Sequence, residues 1–242
     1  MSNLYLVRHG QAGTRNAYDT LSDLGRTQAS KLGEYFVEQR LQFAQAYSGS
    51  SQRQAQTGAE VRSAYLRSGV PFPEITVAQG WNEFSLSDLY RDLAPQLCVD
   101  DPEFREGQEA MHAELKKASD QPNAEILRRW MPCDTTVVNA WVSGKYHCQS
   151  ETWEEFRARV TSHRTSLANG DSGENIVIFT SAMPTAIWIG LALNIRDQRL
   201  MRLAGVLHNS SFCLLKLRTD DVLLHTFNAI PHLPQSSLRT NR

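Results

Sequence analysis

Short apolar runs alternate with stretches of helical period along this chain, and that alternation limits what it can fold into. Leu4 to Val7 is a brief apolar run that stops at Arg8-His9-Gly10, as a buried strand ending in a polar turn would. Ser22 then reads as a helix N-cap, with Ala29, Leu32, Gly33 and Phe36 at helical spacing behind it. Phe43 to Tyr47 reads as a second strand running into Ser48-Gly49-Ser50-Ser51, with a helix following through Ala55, Ala59 and Leu66. Strand, helix, strand, helix in this order predicts parallel pairing in a wound sheet. Ile176 to Phe179 is almost continuously apolar, as expected of a central parallel strand covered on both faces.

The remaining segments fill in an α/β expectation. Val70 to Val77, with prolines at 71 and 73, reads as a connection ending in a short edge strand. From about 86 to 147 the pattern turns mostly helical and polar, broken by Pro95, Pro102, Pro122 and Pro132, which suggests a helical insertion rather than an independent domain. Thr152 and Glu155 form a capping box, and Trp153, Phe156, Val160 and Leu167 give one apolar stripe that ends at Asn169-Gly170-Asp171-Ser172-Gly173. Pro184 suits the start of a helix reaching about Leu193. Ser211 to Leu217 and Val222 to Phe227 read as a terminal hairpin, and the polar tail beyond Leu233 is expected to fray.

Composition excludes more than it selects. A length of 242 residues suffices for one large domain with a substantial core, and 41% hydrophobic with 21% charged residues is ordinary for a globular protein. The net charge of −1 gives no global field toward nucleic acid or an acidic membrane. Cys98, Cys133, Cys148 and Cys213 are scattered without a CxxC pair, so neither a zinc site nor a disulfide framework is expected, and reduced thiols in a cytoplasm are the default. No apolar run has spanning length, and Met1 to Val7 does not read as a signal peptide.

The chemistry lies at the strand ends. The first strand ends in Arg8 and His9, the second runs into a helix whose first turn carries Arg53, Glu83 precedes the insertion, and the central strand ends at Thr180-Ser181. In wound parallel sheets ligands sit at the carboxyl ends of strands. The set fits phosphoryl transfer. Guanidiniums grip phosphate oxygens with a planar, permanently charged fork, and helix N-termini near Ser51 and Pro184 would add N–H donors. A neutral His9 would attack phosphorus, helped to stay neutral by two nearby arginines, while Glu83 serves as acid and then base. Arginines supply the positive charge, so no metal and no cofactor is called for. Gln11 and Asn16 are candidate polar residues of the same site.

Leu6-Val7-Arg8-His9-Gly10-Gln11-Ala12 resembles the Arg-His-Gly signature of the histidine phosphatase superfamily, which includes cofactor-dependent phosphoglycerate mutases. The likeness continues through Tyr18 to Gly25 and Gln28-Ala29, and through Tyr47 to Thr57, which resembles the second arginine motif. Asn82-Glu83-Phe84 looks like the acid segment, and Asn209-Ser210-Ser211 with Asn228 to Leu233 like the closing strands. The resemblance implies one histidine phosphatase-like domain over 1–242, of three-layer α/β/α form, with a mostly parallel central sheet and a helical insertion, about 86–147, over the active site. It implies a metal-independent phosphomonoesterase working through a phosphohistidine on His9, with Glu83 as the second catalytic residue. Arg8, Arg53, Ser181, Gln11 and Asn16 would bind phosphate. The expected partner is a phosphorylated small molecule or phosphoprotein, with no nucleic acid and no membrane.

One position departs from the family. Where it usually has a second histidine after the central strand, this chain reads Phe179-Thr180-Ser181-Ala182-Met183-Pro184, similar to a branch with Thr-Ser-Gly-Gly-Pro. Losing one charged transition-state donor costs roughly 100- to 1000-fold in rate. That keeps two alternatives open beside the hydrolase: a phosphoglycerate mutase, weakened by the missing histidine, and a catalytically silent phosphate- or partner-binding module. Ser181 itself can contact phosphate, cap the following helix, or do both. His208 and His232, near strand ends, are candidates to replace the missing imidazole. The five tryptophans are expected to pack rather than stack on bases, and His112, His147, His163 and His225 to be surface or structural.

Overall fold

The computed structural model describes residues 2–14, 19–118, 129–168, 173–218 and 221–241. Its centre is a sheet of β1 (Ser2–Arg8), β2 (Gln45–Ser48), β3 (Ile75–Val77), β4 (Asn175–Thr180), β5 (Phe212–Leu217) and β6 (Val222–Ala229), in the order β3-β2-β4-β1-β5-β6. The first four strands run parallel, while β5 lies antiparallel to β1 and β6 antiparallel to β5. β4 sits between β2 and β1, which is why Ile176 to Phe179 can be apolar throughout.

Helices cover both faces, giving the three layers the sequence predicts. Alternate residues Tyr5, Val7, Val177 and Phe179 pack with Leu32 and Phe36 of α1 (Asp23–Glu38) and Val61 and Tyr65 of α2 (Gln52–Arg67). The opposite parity, Leu4, Leu6, Ile176 and Ile178, is equally buried on the other face. There Cys213 clusters with Leu207 and with Ile189 of α8 (Ala182–Leu193). Each such side chain removed from water contributes about 1.5–3 kcal/mol. Ser22 caps α1 as predicted, its Oγ accepting from Gly25 N at 3.1 Å.

Packing divides the chain into two compact units, one of Met1–Gly13, Ala17–Glu83 and Arg159–Arg242, the other of Thr14–Asn16 and Phe84–Ala158. The second is helical: α3 (Leu86–Asp100), α4 (Pro102–Ala118), α5 (Pro132–Ser143) and the start of α6 (Trp153–Thr161). Trp141 anchors it, with Phe84, Trp153 and Phe156 at ring separations of 5.2, 5.2 and 5.3 Å. The Asp92 carboxylate accepts from Ser150 Oγ, Ser150 N and Gln149 N, which holds it well below the usual carboxylate range and ties down the turn before α6.

Three local expectations need correction. Pro102 and Pro132 open helices, but Pro95 lies inside α3 without breaking it. An internal proline costs about 3 kcal/mol; burial of Leu89, Leu93, Ala94 and Leu97 around it offsets that. Pro122 lies outside the described residues. The stripe from Trp153 to Leu167 is two helices, α6 and α7 (Arg164–Ala168). Ser162 Oγ donates to Arg159 O at 2.8 Å, competing with the helix ladder there, and His163 turns to stack on Trp81 at 5.5 Å. Finally, the tail does not fray: Ser236–Leu238 is a 3-10 turn, and Arg239 donates to Leu233 O and Pro234 O at 2.9 and 2.8 Å.

No described helix is long and apolar enough to cross a membrane.

Candidate active site

The carboxyl ends of β1, β2 and β4 lie on one edge of the sheet, and most of the candidate residues gather there. His9 immediately follows β1 and is 2% exposed. The strand pairing continues through its backbone: His9 N donates to Thr180 O at 2.9 Å, and Ser210 N donates to His9 O at 3.1 Å. Its ring is fixed at both nitrogens. Nδ1 lies 2.8 Å from Gly10 O, which only accepts, so Nδ1 carries the proton. Nε2 faces Arg53 Nε at 3.3 Å, and that N–H donates to a lone pair. Burial, then Arg53, then Arg8 push the imidazole well below its ordinary pKa, against the Gly10 bond. The ring is therefore neutral at pH 7, with its unprotonated nitrogen at Nε2.

The turn carrying His9 is packed backbone against backbone. A Cβ on Gly10 would lie 2.4 Å from Gly25 O, and one on Gly25 would lie 2.1 Å from Gln11 O. No side chain fits between this turn and the first turn of α1. Gly10 N also donates to Thr57 Oγ1 at 3.1 Å, and that hydroxyl donates to Arg53 O at 2.7 Å. The His9 turn and the start of α2 are thus one hydrogen-bonded piece.

Arg8 ends β1 and is 5% exposed. Its Nη1 donates to Leu207 O and, at 2.8 Å, to Asn241 O. Arg53 sits in the first turn of α2, paired with Asp19 at 3.4 Å. Ser181 occupies the N-cap position of α8 but does not cap it with its side chain. Its Oγ accepts from Gln54 Nε2 at 2.8 Å, which leaves the hydroxyl hydrogen to donate. Glu83 Oε2 instead accepts from Met183 N in that first turn, at 3.1 Å. The partly positive ends of α2 and α8 were expected to add N–H donors for phosphate; two of those N–H groups hold carboxylates, Gln52 N with Asp19 at 3.1 Å and Met183 N with Glu83.

Gln11 turns toward α1, its Oε1 accepting from Ser22 Oγ at 2.8 Å. Asn16 lies outside the described residues. His232 is buried and bound to Ser210 Oγ at 2.8 Å through Nε2, with burial, then Lys31, pushing its pKa down to about 3. His208 donates its backbone N–H to Asn228 Oδ1 at 2.8 Å. Four tryptophans, Trp81, Trp141, Trp153 and Trp188, are buried packing residues.

Sequence reasoning placed Gln54, Asp19, Thr57 and Asn209 inside the motifs but gave none of them a role in the site. Gln54 and Thr57 are fully buried polar residues one and four positions after Arg53. Helical spacing alone would have put them on faces near it, but the contacts that tie them to the site, Gly10 N for Thr57 and Ser181 Oγ for Gln54, come from distant segments. Among the described residues, no three His, Cys, Asp or Glu side chains are grouped to hold a metal ion.

The structure is similar to several solved ones at low sequence identity. A phosphoserine phosphatase mutant from Entamoeba histolytica in complex with phosphoserine shares 14% identity at a TM-score of 0.60, covering 96% of this chain and 100% of that one. Phosphoglycerate mutase from Bacillus anthracis shares 17% at 0.60, covering 96% and 95%. A mycobacterial glucosyl-3-phosphoglycerate phosphatase shares 18% at 0.56, covering 94% and 98%. At these identities the likeness speaks for the fold. A search of curated protein sequences finds no match. The family profile described as histidine phosphatase superfamily (branch 1) matches residues 4–138 and 101–230, nearly the whole length, with Arg8, His9 and Arg53 inside it. The chain belongs to the histidine phosphatase superfamily, branch 1.

Proposed function

We propose that this protein is a metal-independent phosphomonoesterase that passes phosphate through His9. In the first step His9 Nε2 attacks phosphorus, the P–O ester bond breaks, and the leaving oxygen takes a proton from the Glu83 carboxyl. In the second, Glu83 carboxylate takes a proton from water, the oxygen of that water attacks phosphorus, and the P–N bond breaks to return the pair to Nε2. Arg8 and Arg53 balance the charge on the equatorial oxygens, and Ser181 donates its remaining hydroxyl hydrogen. Close approach of a dianionic phosphate favours the protonated form of Glu83 needed for the first step.

One observation carries this reading: the imidazole is held as the Nδ1–H tautomer, with its Nε2 lone pair directed at a guanidinium. A structural histidine has no need of an electron pair kept unprotonated beside a cation. The substrate class is a phosphorylated small molecule or phosphoprotein.

The test compares wild type with His9→Ala on an aryl phosphate and a panel of phosphorylated metabolites. Turnover should fall by at least about 1000-fold in the variant, and acid-labile phosphate should appear on His9 of the wild type. Equal turnover in the two proteins would overturn the mechanism. The uncharged Ser181 motivates a second reading, a phosphate-binding module without turnover. Phosphate binding with no adduct on His9 would favour it.

A further inference from the structure

The tail that was expected to fray reaches back to the nucleophile's turn. Thr240 Oγ1 accepts from Gln28 Nε2 at 2.9 Å and donates to Asn209 Oδ1 at 2.9 Å. Thr240 O accepts from Asn209 N at 2.7 Å, and Leu238 O accepts from Gln28 Nε2 at 2.8 Å. Both partners are fully buried, and both pass the contact on. Gln28 Oε1 accepts from Gln11 N at 2.8 Å, and Asn209 Nδ2 donates to His9 O at 3.3 Å. One threonine thus stands behind the carbonyl of His9 and the amide of Gln11, the two ends of the turn. One residue further, Asn241 O accepts from Arg8 Nη1 at 2.8 Å.

We propose that the segment Leu238–Asn241 is a positioning element of the active site, with Thr240 fixing the His9–Gln11 turn and the Asn241 carbonyl orienting the Arg8 guanidinium. Thr240 acts by fixing amide orientation. A carboxamide has two donors and an acceptor, and only its surroundings decide which end faces which partner. The Thr240 hydroxyl and the Leu238 carbonyl take the N–H₂ end of Gln28, so the oxygen must face Gln11 N. Thr240 also donates to the oxygen of Asn209, so the N–H₂ end must face His9 O. Removing the hydroxyl leaves Asn209 Oδ1 without its donor, so that only the 3.3 Å bond to His9 O holds the amide, and with it the His9 carbonyl, in place. Arg8 is likewise restricted: with Nη1 bound to two carbonyls, the plane of its fork is set.

This inference rests on the phosphatase reading for its kinetic consequence, but not for its structural one. Thr240→Val keeps the shape and removes the hydroxyl; Thr240→Ser restores it. In Thr240→Val kcat should fall about tenfold or more, since small misplacements of a reacting group are costly, while KM for an aryl phosphate stays within about twofold. Thr240→Ser should recover most of the rate. A chain ending after Arg239 should in addition bind inorganic phosphate about tenfold more weakly in calorimetry, because Arg8 loses its Asn241 partner.

Nitrogen-15 chemical shifts of the His9 ring give the readout that does not depend on turnover. They should report one Nδ1–H tautomer in wild type and Thr240→Ser, and a mixed or broadened signal in Thr240→Val. An unchanged His9 ring spectrum in Thr240→Val would overturn the proposal, as would full activity in the truncated chain. If wild type proves inactive yet the ring spectrum responds to Thr240, the phosphatase reading fails and the positioning role stands.

Discussion

At the residue scale the site is a problem of keeping one imidazole uncharged. Burial is the largest cause of the lowered His9 pKa, with Arg53 next. With the neutral ring as the proposed nucleophile, the acid limb of kcat/KM should fall below pH 6.5, the ordinary imidazole value. Arg53→Gln removes the second cause and leaves the first. The limb should move to higher pH while staying below that of a solvated histidine, and pH–rate profiles of the two proteins check it. A limb at the same pH in both would mean that Arg53 does not act on the ring. His9, Arg8 and Arg53 were legible in the sequence because a strand end and a helix start fix where they lie. Gln54 and Thr240 were not. Their roles come from contacts across 127 and 31 positions, Gln54 with Ser181 and Thr240 with Asn209, and no local pattern records those.

At the scale of elements, close approach of backbones decides more than propensity does. The first turn of α1 lies against the His9 turn with no room for a β-carbon at Gly25, the obstruction being the Gln11 carbonyl rather than a side chain able to move. Gly25→Ala should therefore destabilise the protein by about 3 kcal/mol and reduce activity with it, since relief requires shifting the His9 turn. Gly69→Ala is the comparator: φ is +68° with nothing within 4 Å, so only backbone strain of about 1–2 kcal/mol applies. Urea unfolding of both variants measures the difference. Helix starts were readable at Ser22 and Thr152, where a side-chain oxygen meets an amide three residues on. The course of α3 through Pro95 and the break after Thr161 were not. The first depends on burial of the neighbouring leucines, the second on Ser162 taking a backbone carbonyl.

At the scale of the whole molecule, pH acts on the fold as well as on the site. His232 titrates near 3 when folded against 6.5 when unfolded. Between those values the unfolded chain takes up a proton that the folded one refuses, so stability is intact above pH 6.5 and falls as pH drops. At pH 5 the loss from this one group is about 2 kcal/mol. His232→Gln should abolish that share of the acid sensitivity, seen as a smaller drop in Tm between pH 7.5 and pH 5; an unaltered drop would assign it elsewhere, His9 acting in the same direction. The alternation of strands and helices gave the layers and the parallel strands. It did not place β5, which could have paired with either edge. Antiparallel pairing with β1 is decided by the fit of Phe212 and Cys213 into the clusters on the two faces.

That placement has a mechanical result. The strand leading into His9 is flanked by β4 on one side and β5 on the other, and the ladders run on past its end through Thr180 and Ser210. Swinging the imidazole out as a rigid arm would mean tearing two seams of the sheet at once. In the proposed reaction the histidine is therefore the stationary partner, and the substrate must do the travelling.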